Sequence, residues 1–416
     1  MPPLRVRVGD FQLGPTEKKA INEILDSGRL SEGARVREFE RRWAAYVGTA
    51  HCTTASSGTA ALILGLAALK YQNGWANGRK VLTTPLTFIA TSSAISVVGW
   101  EPVYVDVDPH TFVITPDRIA AHLSEAPDPE NYALILPVHL MGYPADMNEI
   151  LEVGRRYGIA VAEDSAQAHG TRYNGHITGS MGLFGAFSFY IAHNIQAGEM
   201  GALTSNDAEI DRLARKLKAQ GRECDCLICL RHEGRCPRLN ASDRDDDYDP
   251  RFTHEMIGYN FKTMEFQAGL GLTQLERAAW IVSQRQKHVR LLNEYLAPYT
   301  DILQLPPYSN NISYLAYPLV IRRPDLISRK ELRRRLEEKG IETRPLFGCI
   351  PTQQPAYAHL KAQYEGRLPN AEYLGRHAFY VGCHQYLREE DLAYVGEVFG
   401  EILAGLSKSV AAKERA

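Results

Sequence analysis

Short apolar runs alternate with longer amphipathic stretches between about residues 50 and 220. Thr59 to Lys70 (TAALILGLAALK) reads as a strongly apolar helix, and it follows the small-residue turn Ser56-Ser57-Gly58. Lys80 to Pro85 reads as a strand, Thr87 to Val98 as a helix, and Pro102 to Val107 as a strand. Tyr132 to Pro137 (YALILP) is a continuous apolar run, the pattern of a strand covered on both faces. Asp146 to Tyr157 sets Leu, Ile and Val at helical spacing, and Ile159 to Glu163 (IAVAE) returns to a strand. Strands alternating with helices in this way predict an α/β fold with a mainly parallel sheet.

The pattern breaks over residues 222–255, where Arg, Asp and Cys are dense and no apolar face repeats. That stretch is expected to be an inserted irregular loop. Thr263 to Arg277 and Ala278 to Leu296 then read as helices, the second leading away from the sheet. Strand Tyr314 to Ile321, helix Ser328 to Lys339 and a last helix from Glu389 to Leu406 suffice for a smaller α/β unit. The expected division is a large domain over 1–280 and a small one over 281–416, with a frayed tail from Lys408.

Composition narrows the class. The 416 residues are 44% hydrophobic and 23% charged, the range of globular proteins, and can bury a large core without staples. A formal charge of −2 gives no reason to expect nucleic acid or an anionic membrane as partner. No apolar run approaches the ~20 residues of a membrane span, and Met1 to Gly9 has no signal-peptide core. A cytoplasmic location is expected. Seven cysteines, an odd count, argue against a purely disulfide framework.

Three features carry candidate chemistry, each with a plainer reading beside it. Asp164 follows the strand Ile159 to Glu163 and so falls at a carboxyl end, where open parallel sheets bind ligands; an Asp there also caps turns. Ser57-Gly58-Thr59 opens the apolar helix, and a helix start offers N–H groups and a favourable dipole to phosphate; every helix also needs a cap. Phe88 follows a strand and can stack on a planar ring, or be a core aromatic.

These pieces recur together. Ser57-Gly58-Thr59, Thr87-Phe88-Ile89-Ala90-Thr91, Glu163-Asp164-Ser165-Ala166-Gln167-Ala168-His169-Gly170 and Phe187-Ser188-Phe189-Tyr190 stand in an order and spacing that resembles the DegT/DnrJ/EryC1/StrS family of sugar aminotransferases. Gly258-Tyr259-Asn260-Phe261-Lys262, Gln267-Ala268, residues 27–48 and Thr343-Arg344-Pro345-Leu346 extend the resemblance over nearly the whole chain. It implies the aspartate-aminotransferase type of fold (fold type I) and a pyridoxal phosphate (PLP) or pyridoxamine phosphate (PMP) cofactor. By the same resemblance Gly58, Thr59 and Ser188 hold the phosphate, Phe88 stacks on the ring, and Asp164 pairs with the pyridine nitrogen. Gln167 meets the ring face or its 3-oxygen. Asn260 reaches the phosphate of a neighbouring subunit in a homodimer with shared sites.

One residue departs from the pattern. The family places its cofactor-binding lysine where this chain has His193. Imidazole cannot form an imine with an aldehyde, but it moves protons near neutral pH. The segment Ala192-His193-Asn194-Ile195 with Gly198-Glu199 is similar to the branch of CDP-4-keto-6-deoxyglucose 3-dehydrases. That implies loss of the 3-hydroxyl from a nucleotide-linked 4-keto-6-deoxyhexose, with His193 as base. The alternatives are a glutamate-consuming dehydratase of the colitose type and an inactive paralogue that binds PLP or sugar nucleotide.

The insertion carries Cys224, Cys226, Cys229 and Cys236. Four thiols so close suggest a metal. The resemblance points to a [2Fe–2S] cluster fed by a partner reductase, since Gly221-Arg222-Glu223-Cys224-Asp225-Cys226 repeats the start of the dehydrases' cluster loop. A structural zinc and unligated thiols remain the other readings.

Overall fold

The computed structural model describes residues 3–224, 226, 233–236, 239 and 248–414, with side chains as far as residue 406. Its centre is a sheet ordered Glu101–Tyr104, Lys80–Thr83, Tyr132–Leu136, then 160–164, then Gly185–Ser188, Gly201–Ser205 and His51–Ala55. The first five are parallel, and Gly201–Ser205 runs antiparallel to both its neighbours. The expected mainly parallel sheet is therefore present.

The strand expected at Ile159 to Glu163 joins two half-sheets. Ala160–Val161 pairs with the Tyr132 strand, and Glu163–Asp164 pairs with Gly185–Ala186. Asp164 also bridges in parallel to Val138. This places Asp164 at the centre of the sheet's carboxyl edge.

The Gly58–Asn73 helix has an apolar surface because it is covered all round; every residue from Ala60 to Leu69 is buried. Ser57 is its N-cap, with Oγ accepting the Ala60 N–H at 3.1 Å. A Cβ on Gly65 would stand 2.6 Å from Phe184, so glycine lets the helix lie close on the sheet. The helix expected from Thr87 begins only at Ala90, because Thr87 and Phe88 form the turn into it.

The C-terminal residues build an antiparallel sheet ordered Leu303–Gln304, Tyr317–Ile321, Ala378–Val381, Thr343–Pro345. One apolar cluster runs from Leu82 and Ile135 through Leu319 and Phe379 to Val395, so the expected border near residue 280 is not a gap in packing. The strand expected from Tyr314 starts at Tyr317, because Tyr314 turns the backbone with φ 41°. The tail expected to fray is helical to Glu414. The ends of the insertion pair with each other: the Glu223 N–H donates to the Thr253 carbonyl and the Cys224 N–H to that of Pro250.

Candidate active site

A cavity of about 460 Å³ opens at the carboxyl edge of the central sheet. Gly58, Thr59, Phe88, Asp164, Gln167, Ser188 and His193 all line it. Asn260 does not; it is exposed elsewhere on the surface, between Tyr259 and Phe261.

The cradle at one end is built by the start of the Gly58–Asn73 helix. The N–H groups of Gly58 and Thr59 lie in the first turn, where no helical carbonyl can accept them. Ser188 comes from the adjoining strand, and a Cβ on Gly58 would sit 2.4 Å from the Ser188 Cβ. Only glycine allows the serine this close. Two open N–H groups, a hydroxyl and a helix dipole suit a phosphate dianion.

Asp164 forms the floor. It is buried, its Oδ2 accepts from the Thr91 hydroxyl at 2.8 Å, and its Oδ1 accepts from the Ala166 N–H at 3.1 Å. Burial pushes its carboxyl above the usual range, partly offset by the Thr91 and Ala166 hydrogen bonds. A carboxylate so desolvated favours a cationic partner such as a protonated pyridine. Gln167 is oriented by the Met141 N–H, which donates to its Oε1 at 3.0 Å; the amide nitrogen remains as the donor end beside the cavity. Phe88, 56% exposed, stands at the rim against Phe347, with ring centroids 5.9 Å apart.

His193 is fixed by one hydrogen bond. Its Nδ1 lies 2.6 Å from the Ser188 carbonyl, which can only accept, so Nδ1 carries the proton. Nε2 is then the unprotonated nitrogen of a half-buried ring on the cavity wall. Burial lowers its pKa to about 4, with Ser188 opposing and Arg285 adding to the shift. The ring is a neutral proton acceptor at neutral pH.

Glu163, adjacent to Asp164, takes no part in the cavity. Its carboxylate accepts from the N–H groups of Gly179, Met181 and Gly182 and pairs with His139 at 3.0 Å. The cavity also holds side chains to which the sequence reading gave no role: Thr91, Tyr190, Glu199, Arg344 and Tyr380. Thr91 was legible, since Thr87 and Thr91 stand one helical turn apart after a strand and their hydroxyls meet at 3.0 Å. Tyr380, from the C-terminal sheet, left no local signal.

The described cysteines of the insertion lie apart from this cavity's lining. Cys224 and Cys236 are half-buried and Cys226 is exposed; Cys229 lies outside the described residues. Among the described residues no group of three or more His, Cys, Asp or Glu side chains is arranged to hold a metal ion. No helix among them is long and apolar enough to cross a membrane.

Comparison with known proteins agrees with this geometry. The family model of the DegT/DnrJ/EryC1/StrS aminotransferases matches residues 12–399. The lipopolysaccharide biosynthesis protein RfbH of Salmonella typhimurium is 30% identical, covering 96% of this chain and 91% of its own. The dTDP-4-dehydro-2,6-dideoxy-D-glucose 3-dehydratase of Saccharopolyspora spinosa is also 30% identical, with 96% and 87% covered. In fold, the chain is similar to the E. coli GDP-4-keto-6-deoxy-D-mannose-3-dehydratase solved with hydrated PLP: TM-score 0.81, 23% identity, 95% and 99% covered.

Proposed function

The chain belongs to the DegT/DnrJ/EryC1/StrS aminotransferase family, and within it we propose a PMP/PLP-dependent 3-dehydrase that removes the 3-hydroxyl of a nucleotide-linked 4-keto-6-deoxyhexose. The observation that carries this reading is His193: an imidazole whose Nδ1–H is held by the Ser188 carbonyl and whose Nε2 is left on the cavity wall. That group accepts a proton and offers no amine for transamination.

The cradle of Gly58, Thr59 and Ser188 fits the cofactor phosphate, and Asp164 fits the ring nitrogen. When bound, the cofactor supplies an electron sink that acidifies the carbon next to its ring. Asp164 keeps that ring cationic through its buried charge. Thr91 fixes the carboxylate by donating to Oδ2, and the Ala166 N–H fixes Oδ1. His193 Nε2 takes the proton, and the resulting imidazolium can return it to the departing hydroxyl. Phe88, which lines the cavity beside Phe347, would stack on the cofactor ring.

The nucleotide-sugar substrate class rests on the relatives named above together with the missing lysine. We include in the proposal a homodimer in which Asn260 serves the neighbouring site, consistent with its exposed place outside its own cavity. Among the described residues Cys224, Cys226 and Cys236 form no metal group, and Cys229 lies outside them, so the proposal includes neither a cluster nor a reductase.

Anaerobic incubation with PMP and a panel of CDP-, dTDP- and GDP-linked 4-keto-6-deoxyhexoses, followed by mass spectrometry, tests the reading. One panel member should lose water. Amino transfer without loss of water, or no reaction with any member, would overturn it.

A further inference from the structure

Behind His193 lies a buried corner of chain that the proposed chemistry does not use. Tyr314 is fully buried, yet its φ is 41°, in the left-handed region that a bulky residue rarely occupies. Such a backbone persists only where its surroundings over-determine it. Here they do. The Tyr314 hydroxyl accepts from the Ser309 N–H at 2.7 Å and donates to the Pro307 carbonyl at 3.1 Å. A Cβ on Gly142 would stand 2.9 Å from the Tyr314 nitrogen, so glycine leaves room for the corner.

Two side chains from different elements converge on this corner. Arg285, from the Ala278–Leu296 helix, donates through Nη1 to the carbonyls of Tyr314 at 3.2 Å and Leu315 at 2.6 Å. Asn194, the residue after His193, donates through Nδ2 to the carbonyls of Ser313 at 2.8 Å and Tyr314 at 3.3 Å. The Tyr314 carbonyl is thus shared between them. Just beyond it, Leu315 and Ala316 line the cavity with His193. On the other side of Asn194, the Ile195 N–H donates to Nδ1 of buried His169, whose ring lies 6.0 Å from that of His193.

Arg285 is an unusual clamp. It is wholly buried, donates to carbonyl oxygens and to Gln385 Oε1 at 3.2 Å and lies beside the Cys383 thiol, with no ion pair among the described residues. Burying an unpaired guanidinium is expensive, and a methionine would fill the volume more cheaply.

Resting on the reading of His193 as base, we propose that Arg285 is its positioning residue: by pinning the Tyr314 corner to which Asn194 is tied, it fixes the His193 segment against the cavity. Its charge has a second consequence. The groups around His193 are the Ser188 carbonyl, the rings of His169 and Tyr190, buried Arg285 behind, and Asp164, Glu199 and Arg344 around the cavity. Arg285 disfavours a positive charge on both His193 and His169, adding to the effect of burial. The base stays neutral and ready.

The test uses full-length protein with PMP, the sugar substrate found by the panel, and NMR titration of the His193 ring assigned by comparison with His193→Asn. Arg285→Gln removes the charge and keeps a donor. His193 should then titrate somewhat above its value of about 4, with burial still holding it below the ordinary range, and the acid limb of the rate profile should move up with it. Arg285→Lys keeps the charge and loses the fork. Its titration should stay low while the rate of water loss falls roughly 10- to 100-fold, the scale of a small misplacement. Asn194→Ala should lower the rate without moving the titration, and it tests the clamp even if the Arg285 variants fail to fold. An unmoved His193 titration in folded Arg285→Gln, or a wild-type rate in Asn194→Ala, would overturn the proposal. If instead His193→Asn turns over normally, it is the assignment of the base that fails.

Discussion

Glu163 and Asp164 are consecutive carboxylates at the middle of one sheet, and they meet opposite surroundings. Glu163 is saturated: three backbone N–H groups and His139 take up its oxygens, and the Ala145 N–H occupies the other nitrogen of His139. Asp164, one residue on, accepts from only Thr91 and Ala166 and faces a cavity. The histidines divide in the same way, His139 with both nitrogens used and His193 with one. Buried polar groups with every valence met hold a fold together; those with a valence left over, on a cavity wall, are available to a ligand. Residue type does not separate the two classes, and partner geometry does.

The comparison can be broken at either carboxylate. Of the two, Asp164→Asn should have the larger effect on turnover, since it keeps the shape and removes the charge proposed to face the ring nitrogen. Turnover should fall by about 10²- to 10³-fold, the scale of losing one electrostatic stabiliser at a reacting centre, with the circular dichroism spectrum unchanged. Full activity in Asp164→Asn would show that the floor of the cavity does no electrostatic work. Glu163→Gln should do the reverse. Its amide cannot accept from all the donors now on the carboxylate, so stability should drop by about 1–3 kcal/mol in urea unfolding. Activity per folded molecule should stay within a few-fold of the parent.

Gly58→Ala probes the cradle, because its Cβ would sit 2.4 Å from that of Ser188. Stability should fall by ~1–3 kcal/mol from overpacking, and equilibrium dialysis should show weaker PMP binding. Unaltered affinity would place the phosphate elsewhere.

A further effect concerns acid. His193 titrates near 4 when folded, against ~6.5 unfolded. Between those values the unfolded chain binds a proton that the folded chain refuses, so stability is lost as pH falls from about 6.5 toward 4. Thermal melts of His193→Asn across that window should decline less steeply than those of the parent. Equal slopes would mean that the ring is not held neutral.

Much of this was legible in the chain. The apolar runs placed four strands of the central sheet and the helix after Ser57 within a few residues, because strands covered on both faces must be apolar throughout; the strands His51–Ala55, Gly185–Ser188 and Gly201–Ser205 were not placed. Seven of the expected cofactor and catalytic residues meet in one cavity, since the motifs that carry them sit at strand ends and a helix start. What stayed hidden depends on contacts distant in sequence. Tyr380 reaches the cavity through C-terminal sheet packing, and the left-handed turn at Tyr314 shortened a strand that its apolar pattern extends. The density of four cysteines suggested a metal, but density does not fix where thiols point; Cys224, Cys226 and Cys236 form no metal group among the described residues, and Cys229 lies outside them.

The central claim is that His193 is the proton acceptor in a site that has given up its lysine. The most direct measurement is water loss from the sugar substrate by His193→Asn loaded with PMP, beside the parent protein. The account predicts retained PMP binding and a rate lower by roughly 10²- to 10⁴-fold, the scale of a lost general base. Dehydration at the parent's rate would contradict it.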